Sequence, residues 1–409
     1  MKLLMILPTS AAGGHHALYG LAVAQAARDR SWQVDLATPT FQLDYPAGMD
    51  LTRVVESTGG RLVDIPCVPG VSPKWTGVLG YAEGQLRRWA LVREAGKRAG
   101  STEQYDVAYV DGGDGWYLPC CVMGIPIEKV PTVTVMLRLR YHHSLLTFGA
   151  AHRVRMGFLQ RAAFERLLRC RLLKAVLTPD RPLAEHYSHD RNGCGRKVCY
   201  IPDLGQSISL TDRTEARKAL GIGEEKRVII CLGGLGRKGV PELMAGLADR
   251  ACPEVVSAML MGSVDAKLAA WLHSDVPAGL IAGGRVWIQN GIYDRQALAT
   301  ALSAADAVWL GYRDHFQSSS ILWEAAQAGL PVLGCHTGLI AWEIRVNDIG
   351  ETVNTDDSAA VARALTRVLC DGEARGRWSR NARQRGALHT PVAFGECVVS
   401  ALENAGAHA

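Results

Sequence analysis

Short apolar, β-branched runs alternate with longer stretches of helical periodicity along most of the chain. The strand-like runs fall at Lys2 to Pro8, Gln33 to Thr38, Arg61 to Val68, Asp106 to Asp111, Pro131 to Leu137, Ala175 to Thr178 and Lys197 to Ile201. Runs that stay apolar from end to end suit strands buried on both faces, so the pattern predicts a parallel sheet covered by helices on each side. The rhythm pauses at the polar, glycine-containing stretch PDLGQSIS, 202–209, and a helix is expected from Thr214 to Leu220. Strands then resume at Arg227 to Leu232, Val255 to Met261, Arg285 to Gln289, Ala307 to Leu310 and Pro331 to Leu333. The expected architecture is α/β, with two doubly wound Rossmann-like domains at 1–205 and 206–388 facing a cleft. A C-terminal helical segment, 389–409, either stands apart or returns to the first domain. In open parallel sheets ligands sit beyond the carboxyl ends of the strands, which directs attention to the loops that follow them.

Composition narrows the function classes. A chain of 409 residues with 48% hydrophobic and 21% charged residues is ordinary globular material, long enough for two or three cores. Its formal charge of +5 is small for this size and does not call for a nucleic-acid partner. The eleven cysteines form no CxxC pair and no zinc-finger spacing, as expected of mostly reduced thiols in an intracellular protein. No apolar run reaches the ~20 residues that span a bilayer. The opening MKLLMILPTSAAGG resembles a secretory leader, but Gly13-Gly14 and the helical pattern over 17–27 continue it as strand, loop and helix. It is read as the first buried strand, and the expected location is cytoplasmic.

The stretch CLGGLGRKGV, 231–240, carries the first candidate chemistry. Gly234-x-Gly236-x-x-Gly239 between an apolar strand and a helix spells a dinucleotide fingerprint, and the following helix start offers N–H groups to an anion. Two features speak against NAD. The strand ending at Met261 runs into Gly262-Ser263, where the fingerprint needs a ribose-binding acid. Arg237 and Lys238 also place two cations in the turn, which suits a diphosphate that gains charge during reaction.

A second segment, HFQSSSILWEAAQAGLPV from His315, follows the strand at Val308. Ser318, Ser319 and Ser320 at a helix start offer hydroxyls and N–H groups to a diphosphate, although capping alone explains any one of them. Glu324 lies far enough into that helix to accept hydrogen bonds from ribose hydroxyls, or simply to complement the helix dipole. The pair His15-His16 follows the first glycine loop, where His16 is a candidate general base on an acceptor hydroxyl. The segment Arg153 to Lys174 alternates basic residues with Phe158, Phe164, Leu167, Leu168 and Leu172. This reads as a core stripe under a solvated face or as a peripheral membrane contact.

Together these motifs resemble the retaining family-four glycosyltransferases of GT-B fold, over nearly the whole chain and most strongly from Arg227 to Val353. The resemblance implies transfer of a sugar from a nucleotide diphosphate donor, UDP by default, with retention at the anomeric carbon and with neither metal nor cofactor. By resemblance, Lys238 and Arg237 match the cations on the leaving diphosphate, in the loop that holds Gly234, and Glu324 matches the ribose-binding acid. Gly13 and Gly14 match the loop beneath donor phosphate and sugar, with His15 beside it. Asn290-Gly-Ile292-Tyr293 matches the segment that contacts the base. The chain also departs from the family. Phe316 stands where the family often has a glutamate, eight positions before Glu324, leaving His315 or Gln317 to meet the sugar. Arg237 and Lys238 are adjacent rather than five apart. After the strand ending near Leu137, where relatives place a histidine, the chain reads Arg138-Leu-Arg140-Tyr-His142-His143. No Asp-x-Asp motif is present to hold a cation on the diphosphate. The competing readings are a sugar-nucleotide epimerase of the same fold, an NAD-dependent oxidoreductase and a non-catalytic nucleotide-sugar binder. The acceptor is not identified by any motif.

Overall fold

The computed structural model describes residues 1–8, 15–40, 43–66, 77–139, 141–144, 157–189, 194–313 and 315–407. The chain divides into two compact units. One comprises Met1–Leu146, Ala151–Leu204 and Pro391–Ala409, and the other is built on Gly205–Thr390.

The first unit contains strands β1 (Lys2–Ile6), β2 (Gln33–Thr38), β3 (Leu62–Asp64), β4 (Val107–Val110), β5 (Thr132–Val135), β6 (Leu173–Thr178) and β7 (Val198–Tyr200). They form one parallel sheet in the order β3-β2-β1-β4-β5-β6-β7. Successive side chains of a strand point to opposite faces. Leu3 and Met5 of β1 join Val107 and Tyr109 of β4 in one core, while Leu4 and Ile6 join Ala108 and Val110 in another. Both faces are therefore covered, which is why these strands read as continuous apolar runs. Helix Pro391–Ala407 packs on helix His15–Asp29 in this unit, with Phe394 stacked on Tyr19 at 4.8 Å between ring centres. Gly395 lets the two helices approach, since a Cβ there would overlap the Ala22 carbonyl oxygen. Arg30 ties their ends by ion pairs to Glu396 at 2.7 Å and Glu403 at 3.0 Å.

The second unit holds β8 (Arg227–Leu232), β9 (Val256–Gly262), β10 (Val286–Asn290), β11 (Ala307–Leu310), β12 (Val332–Cys335) and β13 (Gly350–Val353). The order is β10-β9-β8-β11-β12-β13, again all parallel. Each sheet reverses its direction of winding once, between β1 and β4 in the first unit and between β8 and β11 in the second. At such a point the loops after the two neighbouring strands diverge and leave a crevice. Strand β13 is absent from the sequence-based expectation. It is an edge strand, half-buried and carrying Glu351 and Thr352, so it lacks the apolar run that marks the inner strands. Strand β3 is shorter than the expected Arg61 to Val68, and 67–68 lie outside the described residues. Among the described residues no helix is long and apolar enough to cross a membrane.

Candidate active site

At the switch point of the second unit, the loop after β8 runs through Gly233 (φ +100°), a 3-10 turn at Leu235–Arg237, and Gly239 (φ +66°) into helix Val240–Ala248. Glycine is required at 239 by both conformation and space, because a Cβ would overlap the carbonyl oxygen of Gly311 beyond β11. Gly262 at the end of β9 plays the same part against the Gly233 carbonyl. The loops after β8 and β11 are thereby drawn together around Lys238.

Lys238 is held at both ends. Its carbonyl accepts a hydrogen bond from Trp309 Nε1 at 2.7 Å. Its ammonium donates to the Tyr312 hydroxyl and lies 3.8 Å from the centre of that ring. The Tyr312 hydroxyl is in turn hydrogen-bonded with Ser319 Oγ at 2.8 Å, and His315 stacks on the Tyr312 ring at 4.4 Å. Only 8% of Lys238 is exposed, whereas its neighbour Arg237 is exposed to solvent, so the structure separates two cations that the sequence puts side by side.

Burial pulls the Lys238 ammonium down to about 8, with Arg237 adding to the shift and Cys231 and Glu324 opposing it. A lysine normally near 10.5 thus carries its charge at a cost of about 3 kcal/mol to the fold. Because the folded value lies below the unfolded one, that cost is in full force below pH 8 and fades as pH rises toward 10.5. An anion bound at the ammonium would offset it.

Glu324 lies in the second turn of helix Ser320–Gln327 and is 3% exposed. Tyr293, from the loop after β10, is half-buried nearby. Burial first, then Glu324 and Cys231, push its hydroxyl up to about 12. Lys238, Glu324, Tyr293 and Tyr312 therefore share one electrostatic neighbourhood. Gly234, on the same loop, is exposed, and the nearest atom to a Cβ there would be Ser263 Oγ at 3.8 Å, which leaves room for a ligand.

The remaining expected residues of this unit fall into place unevenly. Ile292 is wholly exposed and Gln317 half-buried. Two of the three serines are engaged within the protein rather than offered together. Ser319 is the N-cap of its helix but uses its hydroxyl on Tyr312, and Ser318 Oγ accepts from Trp323 Nε1 at 3.4 Å. The helix itself begins at Ser320. His315 Nε2 is hydrogen-bonded with the Ser318 carbonyl at 3.2 Å, which fixes the loop's turn.

The first unit has its own cluster at the β1–β4 switch point. His16, in the first turn of helix His15–Asp29, is hydrogen-bonded through Nδ1 to Asp111, which directly follows β4 and is buried. Burial works to lower the imidazole pKa. The charge and hydrogen bond of Asp111 oppose it, Arg138 lowers it and Asp114 raises it, and the net value lies above 6.5. Asp114 is itself raised by burial, although it accepts from Leu137 N at 2.9 Å and lies near Arg138. Asp111 and Asp114 were missed by sequence reasoning; the available signal was an acid at the carboxyl end of an apolar strand. His142 is fully buried and hydrogen-bonded through Nε2 to Asp180 Oδ2 at 2.7 Å. Gly13, Gly14 and Arg140 lie outside the described residues, as do the side chains of His15 and His143.

Of the basic segment, 153–156 also lies outside. The rest contains helix Gly157–Leu168, whose Phe164, Leu167 and Leu168 are buried in the core and whose Arg161 pairs with Glu165 at 2.7 Å. Phe158, 74% exposed, and Leu159, 42% exposed, are its large apolar residues that face solvent.

No protein-family model and no curated protein matches the sequence. Solved structures do match the fold. Sucrose-phosphate synthase from Thermosynechococcus elongatus superposes with a TM-score of 0.66 at 18% identity, covering 100% of both chains. Anabaena Alr3699/HepE in complex with UDP gives 0.65 at 18% identity, covering 99% of this chain and 100% of that one. WaaG, a glycosyltransferase involved in lipopolysaccharide biosynthesis, gives 0.61 at 17% identity, covering 98% and 99%. HepE is also solved with UDP-glucose. At these identities the likeness is one of fold, and the fold is that of GT-B glycosyltransferases.

Proposed function

We propose that the protein transfers a sugar from a UDP-sugar to an acceptor hydroxyl, with the second unit binding the donor and the first the acceptor. The observation that carries this reading is the buried Lys238 cation at the β8–β11 switch point, with Glu324 within its electrostatic reach and Tyr293 within reach of Glu324. The UDP and UDP-glucose held by HepE, a protein of the same fold, support the choice of donor. In the transfer the bond between the anomeric carbon and the β-phosphate oxygen breaks, and its electron pair leaves with the diphosphate. The acceptor oxygen bonds to the anomeric carbon and gives up its proton. In this reading Lys238 stabilises the charge growing on the departing oxygen.

Two stereochemical courses are open to this chemistry. The Lys-Gly turn and the Glu324 helix fit the retaining pattern, in which the departing phosphate takes the acceptor proton. The His16–Asp111 pair favours inversion as a second reading, because an imidazole oriented by a buried carboxylate is built to take a proton from a hydroxyl. NAD is not expected to bind, since β9 ends at Gly262 and is followed by Ser263 rather than by an acid. Incubation with a panel of nucleotide sugars, with released nucleotide detected by chromatography, tests the proposal. Nucleotide release from none of them, with NAD rather than UDP raising the melting temperature, would refute it.

Two further results are expected at the donor site. Glu324→Gln should weaken UDP binding by about 1–3 kcal/mol, the scale of a hydrogen bond to a charged group. Calorimetry showing unchanged affinity in a folded variant would remove Glu324 from the site. UDP affinity should also fall as pH rises past about 8, approaching tenfold per pH unit, because the free protein must then take up a proton on Lys238 to meet the diphosphate. Lys238→Ala should lack this fall.

A further inference from the structure

A cavity of ≈ 420 Å³ opens at the amino ends of β8 and β11, the ends opposite to the Lys238 loop. Its charged lining consists of Arg213, Arg227, Arg375 and Arg383 against one carboxylate, Asp306, with Ser379 beside them. That carboxylate is already fully used. Its Oδ1 accepts from Arg213 at 2.8 Å, and its Oδ2 accepts from Arg217 and from the backbone N–H of Val228, both at 2.9 Å. Arg375 reaches it only at 3.6 Å. Among the described residues Arg227 and Arg383 have neither hydrogen-bond nor ion-pair partners through their side chains. Arg383 is nevertheless placed with care. Its guanidinium packs where a Cβ on Gly329 would overlap it, and Gly329 has φ +71°. Arg227 and Arg375 both lie close enough to Cys370 to act on its thiol.

Four guanidinium groups around one cavity repel one another, and a single saturated carboxylate leaves most of that charge uncompensated. Guanidinium presents a planar fork of N–H donors that matches phosphate oxygens, and the volume falls in the range of small-ligand sites. We infer that this cavity binds a small, multiply charged phosphorylated anion, either a diphosphate or a sugar phosphate, at a site separate from the donor site. The inference stands independently of the transferase reading, since it uses none of the residues at the carboxyl ends of the strands.

The test is calorimetric titration of the full chain with inorganic pyrophosphate and, separately, with glucose 6-phosphate, at constant ionic strength and with saturating UDP present. At least one of the two should bind despite the UDP. Arg227→Gln/Arg383→Gln should weaken that binding more than tenfold while leaving the ligand-free melting temperature at or above that of wild type, because neither side chain has a hydrogen-bond or ion-pair partner to lose and the repulsion among the four guanidinium groups is relieved. Arg383→Lys, which keeps the charge and loses the fork, should retain intermediate affinity. If the double variant does not fold, Arg383→Gln alone is expected to weaken binding several-fold. The inference is overturned if neither anion binds, if UDP abolishes the binding, or if the arginine variants bind as wild type does.

Discussion

Lys238→Ala is expected to lower turnover by on the order of 10²–10³-fold, the scale set by removal of one preorganised electrostatic donor. The reasoning begins with the cost of keeping that ammonium buried. With its carbonyl hydrogen-bonded by Trp309 and its ammonium donating to Tyr312, Lys238 has its charge aimed before a ligand arrives. Preorganisation of this kind acts most strongly where charge develops, on the leaving phosphate oxygen, and turnover should therefore suffer more than UDP binding. The alanine variant also loses a costly buried charge, so without ligand it should be at least as stable as wild type. UDP should raise its melting temperature less than that of wild type. Equal turnover in the two proteins would remove Lys238 from the chemistry. Tyr312→Phe offers a finer test, since it keeps the ring beneath the ammonium and removes the hydroxyl that links Lys238 to Ser319. A smaller loss of turnover is expected from it.

The sequence makes Lys238 visible because its loop is spelled by glycines between an apolar strand and a helix, all within ten residues. Tyr312 and Trp309 were not legible in the same way. Their partnership with Lys238 spans 74 and 71 positions and depends on β8 and β11 being neighbours in the sheet. Alternating apolar runs predict that there are strands, but say nothing about which strand lies beside which. The same limit hid Asp111, whose meaning comes from β4 pairing with β1 and thus placing it against His16. Strand β13 escaped for a different reason, since an edge strand buries too little to need an apolar run. The parallel inner strands, buried on both faces, had no such freedom, and their pattern carried the α/β fold class directly.

The His16–Asp111 pair supplies the experiment that separates the two stereochemical courses. If His16 takes the acceptor proton, His16→Ala should reduce turnover by on the order of 10²–10⁴-fold, the usual contribution of a positioned general base, and product analysis by NMR should show an inverted anomeric centre. If the departing phosphate takes the proton, the same variant should stay within a few-fold of wild type and the product should retain configuration. The pH profile gives an independent reading. A base must be neutral to act, and His16 is raised above 6.5, so kcat/KM should climb with pH through that raised value. In Asp111→Asn the carboxylate that raises the imidazole is gone while burial, which lowers it, remains. The acid limb of the profile should then move below 6.5, even as the rate falls for want of an oriented imidazole. A limb that stays in place in Asp111→Asn would mean that some group other than His16 titrates, and the inverting course would lose the observation that favours it.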